Sequence, residues 1–304
     1  VTDRPLLRPG QHVAVVAPAG PIPDGLLDAG VAWLREWGLD VTIGEHVTAR
    51  HPTLDYLAGS DADRAEDLRR AWCDPDVAAV FCARGGYGCL RVLPHLDWAA
   101  LASAAPTPLI GSSDVTALHH AFTARLGTPC VFGPMPATSS FTTDATTRDA
   151  LYRCLFGTGP CVVTGVEAAP LAPGTGGVAR GVAAGGTASL LVSLAGLPGP
   201  EGRPPPDGSI LLLEDITESP YRLDRIITQL MLAGWLDTVA GIALGSWTRC
   251  GPPARVRAML TDRLAPLGVP VAWGLEFGHC EGQASIRLGA PAVLDADAGR
   301  LTVG

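Results

Sequence analysis

The chain has 304 residues, 47% of them hydrophobic and 17% charged, with a formal charge of −8. That length carries about two domains with real cores, and the composition argues against a disordered chain. The acidic balance argues against a nucleic-acid surface, which needs clustered Lys and Arg to neutralise phosphates, so small or peptide-like partners are expected.

Eight cysteines, at 73, 82, 89, 130, 154, 161, 250 and 280, are scattered without a C-x-x-C pair. This pattern predicts reduced core thiols in a cytoplasmic protein rather than a disulfide framework or a zinc site. Residues Val1 to Pro5 hold no signal-peptide apolar core, and no apolar run reaches the roughly 20 residues of a membrane span. The chain begins at Val1 and not Met, which leaves a processed precursor open.

In chain order, the first half alternates short apolar runs with amphipathic stretches. Strands are predicted at His12–Ala17, Val41–Gly44, Val77–Cys82, Pro108–Gly111 and Cys130–Phe132. Helices are predicted at Pro23–Trp37, Ser60–Trp72, Gly88–Leu96, Val115–Leu126 and Thr147–Leu155. This alternation implies a parallel sheet covered on both faces, a Rossmann- or flavodoxin-like domain, with sites at the carboxyl ends of the strands. Composition then shifts to Gly, Pro and Ala. The domains are drawn at 1–160 and 186–304, joined by a crossover at 161–185. Beyond it come a helical patch at Ala188–Leu194, a strand at Ser209–Leu213, a helix near Tyr221–Gly234, a strand at Gly241–Leu244 and a helix at Ala254–Ala265. Apolar segments at Pro270–Trp273 and Ala284–Leu288 and alternating strands towards Val303 complete a smaller mixed α/β domain.

Pro108-Leu109-Ile110-Gly111-Ser112-Ser113-Asp114 is an apolar run ending in glycine and two serines before a helix. It presents a hydroxyl at a strand-to-helix turn, where helix N–H groups favour a developing oxyanion, although the same layout fits an ordinary helix cap. A serine nucleophile needs a base, and histidine is the usual one. Of seven histidines, His119 and His120 lie inside the following helix and His12 opens a strand, whereas His279 sits in a loop between predicted strands. The orienting carboxylate is sought in Glu214-Asp215, at the end of the run Leu211-Leu212-Leu213; Asp215 is equally suited to cap the helix that follows. Arg84-Gly85-Gly86-Tyr87-Gly88 matches neither G-x-G-x-x-G nor a P-loop. It suits either a close backbone approach to substrate, lending an N–H to an oxyanion hole, or a tight turn that needs positive φ. Cys280 and Cys89 adjoin His279 and Gly88 but point elsewhere as neighbours in a loop, and no H-e-x-x-H-type metal cluster exists.

Taken together these segments resemble the LD-carboxypeptidase family of serine peptidases, which includes murein-tetrapeptide carboxypeptidases and microcin C self-immunity peptidases. The resemblance runs through Pro9-Gly10 before Val13–Pro18, Arg84–Gly88, Ile110–Leu118, Gly133-Pro134-Met135, Leu213-Glu214-Asp215, Pro220–Arg225 and Phe277-Gly278-His279. It implies a triad of Ser113, Glu214 and His279, selecting Ser113 over Ser112 and Glu214 over Asp215. The nucleophile would come from the first domain and the other two from the second. It also implies an oxyanion hole from the backbone of Asp114 and Gly86, substrate contacts by Arg84 and Gly85, no metal or other cofactor, no membrane partner, and a cytoplasmic homodimer. Two positions depart from the family pattern: Ser112 replaces an aromatic residue, and Gly185-Gly186-Thr187 replaces Gly-Gly-Asn. Both bear on the pocket rather than on the triad. The expected activity is hydrolysis of an L,D-peptide bond in a murein-derived peptide. A peptidase acting on peptidyl or aminoacyl nucleotides is the first alternative, and a non-catalytic two-lobed small-molecule binding module is an alternative of another class.

Overall fold

In the computed structural model, which describes residues 4–304, the chain divides between Thr158 and Gly159 into two units. The first contains, in order, β1 (His12–Val16), α1 (Leu26–Glu36), β2 (Asp40–Ile43), α2 (Asp61–Cys73), β3 (Val77–Cys82), α3 (Cys89–Val92) and α4 (Trp98–Ser103). It continues through β4 (Leu109–Gly111), α5 (Thr116–Leu126), β5 (Cys130–Phe132), α6 (Ser139–Thr143) and α7 (Ala145–Phe156). These five strands pair in parallel in the order β2-β1-β3-β4-β5, as expected for a flavodoxin-like sheet. The reason lies in runs such as Val13-Ala14-Val15-Val16 and Val77-Ala78-Ala79-Val80-Phe81-Cys82. They are apolar throughout instead of alternating, and almost every residue is buried, so both sheet faces must be covered.

Helix starts follow local chemistry. Ser60 accepts the Asp63 N–H at the start of α2, and Asp144 accepts those of Thr146 and Thr147 at the start of α7. On the covered face Trp72 meets Phe122 edge to face with ring centroids 4.6 Å apart, while its indole N–H donates to the Leu101 carbonyl at 3.2 Å. The strand order reverses beside β1 and β3, and the loops that leave their carboxyl ends lie at this switch point, where open α/β sheets bind ligands. Those loops are tied together. Gly20 N–H donates to Gly85 O at 3.1 Å, and the buried guanidinium of Arg64 donates to the carbonyls of Pro18 and Gly88.

The second unit contains β6 (Cys161–Val163), β7 (Ala169–Pro170), β8 (Val178–Thr187), α8 (Ala188–Leu194), β9 (Ile210–Ile216), α9 (Pro220–Leu232), β10 (Gly241–Thr248), α10 (Pro253–Leu264), β11 (Val271–Trp273), β12 (Ile286–Leu288), β13 (Pro291–Asp295) and β14 (Arg300–Val303). Eight of its strands form a mixed sheet in the order β6-β14-β13-β8-β9-β10-β11-β7. β8 to β11 run parallel in its centre, with antiparallel strands at both sides.

Two details differ from the sequence reading. Residues 161–185, expected as a crossover, carry β6, β7 and most of β8, because glycine and alanine here lie in paired strands rather than in turns. The strand expected at Ser209–Leu213 continues to Ile216, so Glu214 and Asp215 lie within β9 and not after it. Backbone pairing with β8 and β10 carries the strand past the apolar run.

Candidate active site

In the first unit β4 ends at Gly111, Ser112 is extended, and Ser113 takes φ = +60° before the turn into α5. A left-handed serine is strained backbone, a cost of order 1 kcal/mol that the surroundings must hold in place. They do so by tight packing. A Cβ on Gly111 would stand 2.9 Å from the Val115 side chain, and one on Gly85 would stand 2.9 Å from Ser113 Cβ and 3.2 Å from its Oγ. Gly85 thus lets the β3–α3 loop lie directly on Ser113. Gly86 and Gly88 take positive φ, so the tight-turn reading of that loop holds at the same time.

Asp114 turns inward. Its buried carboxylate accepts the Cys89 N–H at 2.8 Å, anchoring the N-terminus of α3; burial pushes its pKa up, and the Cys89 hydrogen bonds pull it part of the way back. Ser112 is buried, whereas Ser113 is partly exposed. Arg84 is half-buried and donates to Pro21 O at 2.7 Å, so its guanidinium braces the loop after β1.

In the second unit Glu214 is 0% exposed. Its Oε2 lies 2.7 Å from His279 Nδ1 and accepts the His279 backbone N–H at 3.2 Å, while its Oε1 accepts the Thr187 hydroxyl at 2.5 Å. The His279 loop reaches β9 because β10 is irregular between Leu244 and Trp247. There Ser246 N–H donates to Phe277 O at 2.9 Å, and Gly245 leaves room for the Phe277 ring. Thr248 Oγ1 donates to His279 O at 2.5 Å and fixes the far side of the loop. Burial alone would lower the His279 pKa, but the hydrogen bond and charge of Glu214 outweigh it and raise the pKa above the ordinary value. With Glu214 on Nδ1, the neutral ring carries its proton there and offers Nε2 as a base.

Asp215, the rival carboxylate, has a structural task. Its Oδ2 accepts the Ser189 N–H at 2.8 Å and its Oδ1 the Ile216 N–H at 2.9 Å, so it caps α8, the helix before it in sequence rather than the one that follows. Burial pushes its pKa up to about 6. The rival thiols are poor nucleophiles: burial raises Cys280 to about 11 and Cys89 well above the ordinary value. His119 is buried in α5, and burial holds its pKa down to about 3. Among the described residues no group of three or more His, Cys, Asp or Glu is arranged to hold a metal ion, and no helix is long and apolar enough to cross a membrane.

The structure therefore brings Glu214 to His279 in one unit, and Gly85 and Asp114 to Ser113 in the other. Two supports of the pair were not assigned to it from sequence. Thr187, expected to bear on the pocket rather than on the triad, instead bonds Glu214, and Gly278, quoted only as a motif residue, takes φ = +95° beside that carboxylate.

Comparison with known proteins agrees with this chemistry. Residues 13–133 match the LD-carboxypeptidase N-terminal domain and residues 180–294 the LD-carboxypeptidase C-terminal domain. A putative carboxypeptidase of Streptomyces coelicolor is 50% identical over 98% of this chain and 94% of its own length. The murein tetrapeptide carboxypeptidase of Pseudomonas aeruginosa is 36% identical over 94% of each chain. The crystal structure of muramoyltetrapeptide carboxypeptidase from Oxalobacter formigenes superposes with a TM-score of 0.82 at 28% identity, covering 97% of this chain and 99% of that one. The protein belongs to the LD-carboxypeptidase family of serine peptidases.

Proposed function

We propose that this protein is a serine carboxypeptidase that hydrolyses an L,D-peptide bond and releases the C-terminal D-amino acid of a murein-derived peptide. The observation that carries the reading is the Glu214–His279 pair, in which a buried carboxylate 2.7 Å from Nδ1 leaves Nε2 as a general base. The P. aeruginosa relative, named for murein tetrapeptide, supports the substrate class.

In this mechanism Ser113 Oγ attacks the scissile carbonyl carbon while His279 Nε2 takes its proton. The negative charge that develops on the carbonyl oxygen is met by the backbone N–H groups of Asp114 and Gly86. The tetrahedral intermediate collapses, imidazolium returns the proton to the leaving amine, and the D-amino acid departs from an acyl-Ser113 ester. Water activated by His279 hydrolyses the ester and restores the serine. Glu214 stabilises imidazolium throughout and keeps its own charge. On this reading Gly85 contacts the substrate beside Ser113, and Arg84, whose guanidinium also donates to Pro21 O, contacts the peptide carboxylate. The same reading carries a cytoplasmic location, a part in peptidoglycan recycling and a homodimeric assembly, to be checked by cell fractionation and sedimentation.

The test offers purified protein a tetrapeptide ending in an L,D bond, its L,L counterpart and a peptidyl adenylate. Release of the D-amino acid from the first alone, abolished by Ser113→Ala, is the expected result. Turnover of the adenylate alone would replace this reading with a nucleotide-directed peptidase. Residues 157–186 contain no Trp, Tyr or Phe to stack on a base, which favours the peptide substrate.

A further inference from the structure

Thr187 occupies the N-cap position of α8 yet makes no side-chain cap hydrogen bond. A threonine there normally accepts an N–H from the first turn of the helix. Here that N–H, from Ser189, is taken by Asp215 Oδ2 at 2.8 Å. The Thr187 hydroxyl is thereby released from capping, and it donates instead to Glu214 Oε1 at 2.5 Å. The exchange follows from register: β8 and β9 run parallel with Thr187 opposite Glu214, and Asp215 follows directly.

From this arrangement we propose that Thr187 is a positioning residue for the Glu214–His279 pair, acting through Glu214 and touching neither substrate nor the reacting atoms. The proposal rests on the triad reading given above. A carboxylate at the end of a flexible side chain can present either oxygen. Thr187 holds Oε1, so Oε2 faces His279 Nδ1 and the His279 backbone N–H. Thr187 is 2% exposed, so no solvent competes for the bond. A threonine has one O–H to give, and it is committed to Glu214.

The electrostatic consequence has a definite sign. With His279 neutral the pair carries one negative charge; with His279 protonated it is a neutral ion pair. A hydrogen bond to the carboxylate stabilises the first state more than the second, so removing it makes His279 easier to protonate.

Thr187→Val removes the hydroxyl at constant shape, and Thr187→Ser keeps the hydroxyl and removes the methyl. The experiment follows the His279 ring by NMR titration in wild type and both variants, and measures kcat and KM for L,D-tetrapeptide hydrolysis across pH. Thr187→Val should raise the His279 pKa by roughly 0.5 to 1 unit and lower kcat by about 10- to 100-fold at nearly constant KM, with Thr187→Ser close to wild type. If Thr187→Val does not fold, Thr187→Ala replaces it in the same comparison with Thr187→Ser. An unchanged titration in the hydroxyl-free variant, or a serine variant as impaired as the valine one, overturns the proposal. The titration needs no substrate, so a protein inactive on L,D-peptides would refute the proposed function while still reporting on Thr187.

Discussion

Gly278 passes so close to Glu214 that a Cβ added to it would stand 2.4 Å from the carboxylate Oε2, the oxygen that holds His279. Its φ of +95° is also closed to most L-residues. Gly278→Ala should therefore act twice. It should cost about 1–3 kcal/mol of stability through the backbone, and lower kcat by at least ~100-fold by displacing Glu214 from Nδ1. Thermal unfolding and steady-state kinetics on the same preparation check both; a variant with wild-type kcat would show that the contact does not govern catalysis.

Ser113 should trade stability for activity. Its φ of +60° is strained for serine and comfortable for glycine. Ser113→Gly is expected to stabilise the fold by roughly 1 kcal/mol while lowering kcat by about 10⁴- to 10⁶-fold. Ser113→Ala should lose the same activity without the gain, because its Cβ keeps the strain. Denaturant midpoints for the pair measure the difference.

The pH dependence follows from the raised pKa of His279. The base works only when neutral, so kcat/KM should rise with pH through an apparent pKa above 6.5. Glu214→Gln removes the charge that holds the proton. The limb should then move to lower pH while kcat falls by roughly 10³- to 10⁴-fold. Stability runs the opposite way. The favourable ion pair contributes fully below the unfolded pKa and is lost as pH rises through the folded one. An acidic limb that stays in place in Glu214→Gln would separate the two residues functionally.

His119 predicts an acid-sensitive first unit. Burial holds its pKa down to about 3, whereas the unfolded chain takes up the proton near 6.5. The unfolded state therefore binds more protons between these values, and stability falls as pH drops through that window. Of the stability wild type loses between pH 7 and pH 4, about 3 kcal/mol should be absent in His119→Leu, measured by urea unfolding at both pH values. Parallel losses in the two proteins would rule the histidine out as the cause.

Much of this protein was determined by local sequence. Runs such as Val13–Val16 and Leu211–Leu213 are apolar throughout, and a strand buried on both faces needs no tertiary information to be recognised. The strand-to-helix turn at Gly111–Asp114 was legible for the same reason, since a glycine and small polar residues between an apolar run and a helical pattern leave little choice of conformation. The second unit was harder to read. β8 is built largely of Gly and Ala, residues depleted in strands, and it is a strand because β9 and β13 pair with it. The roles of the two neighbouring carboxylates were also beyond local sequence, which offers Glu214 and Asp215 alike. Because successive residues of a strand face opposite ways, one carboxylate meets His279 and Thr187 while the next meets the start of α8. Composition and spacing thus decided which apolar segments are strands and where a serine hydroxyl stands at a strand-to-helix turn. Only the tertiary structure decided the partner of each buried carboxylate, because those partners lie 27 and 65 residues away for Glu214 and 26 for Asp215, and strand pairing and loop packing alone bring them within hydrogen-bonding distance.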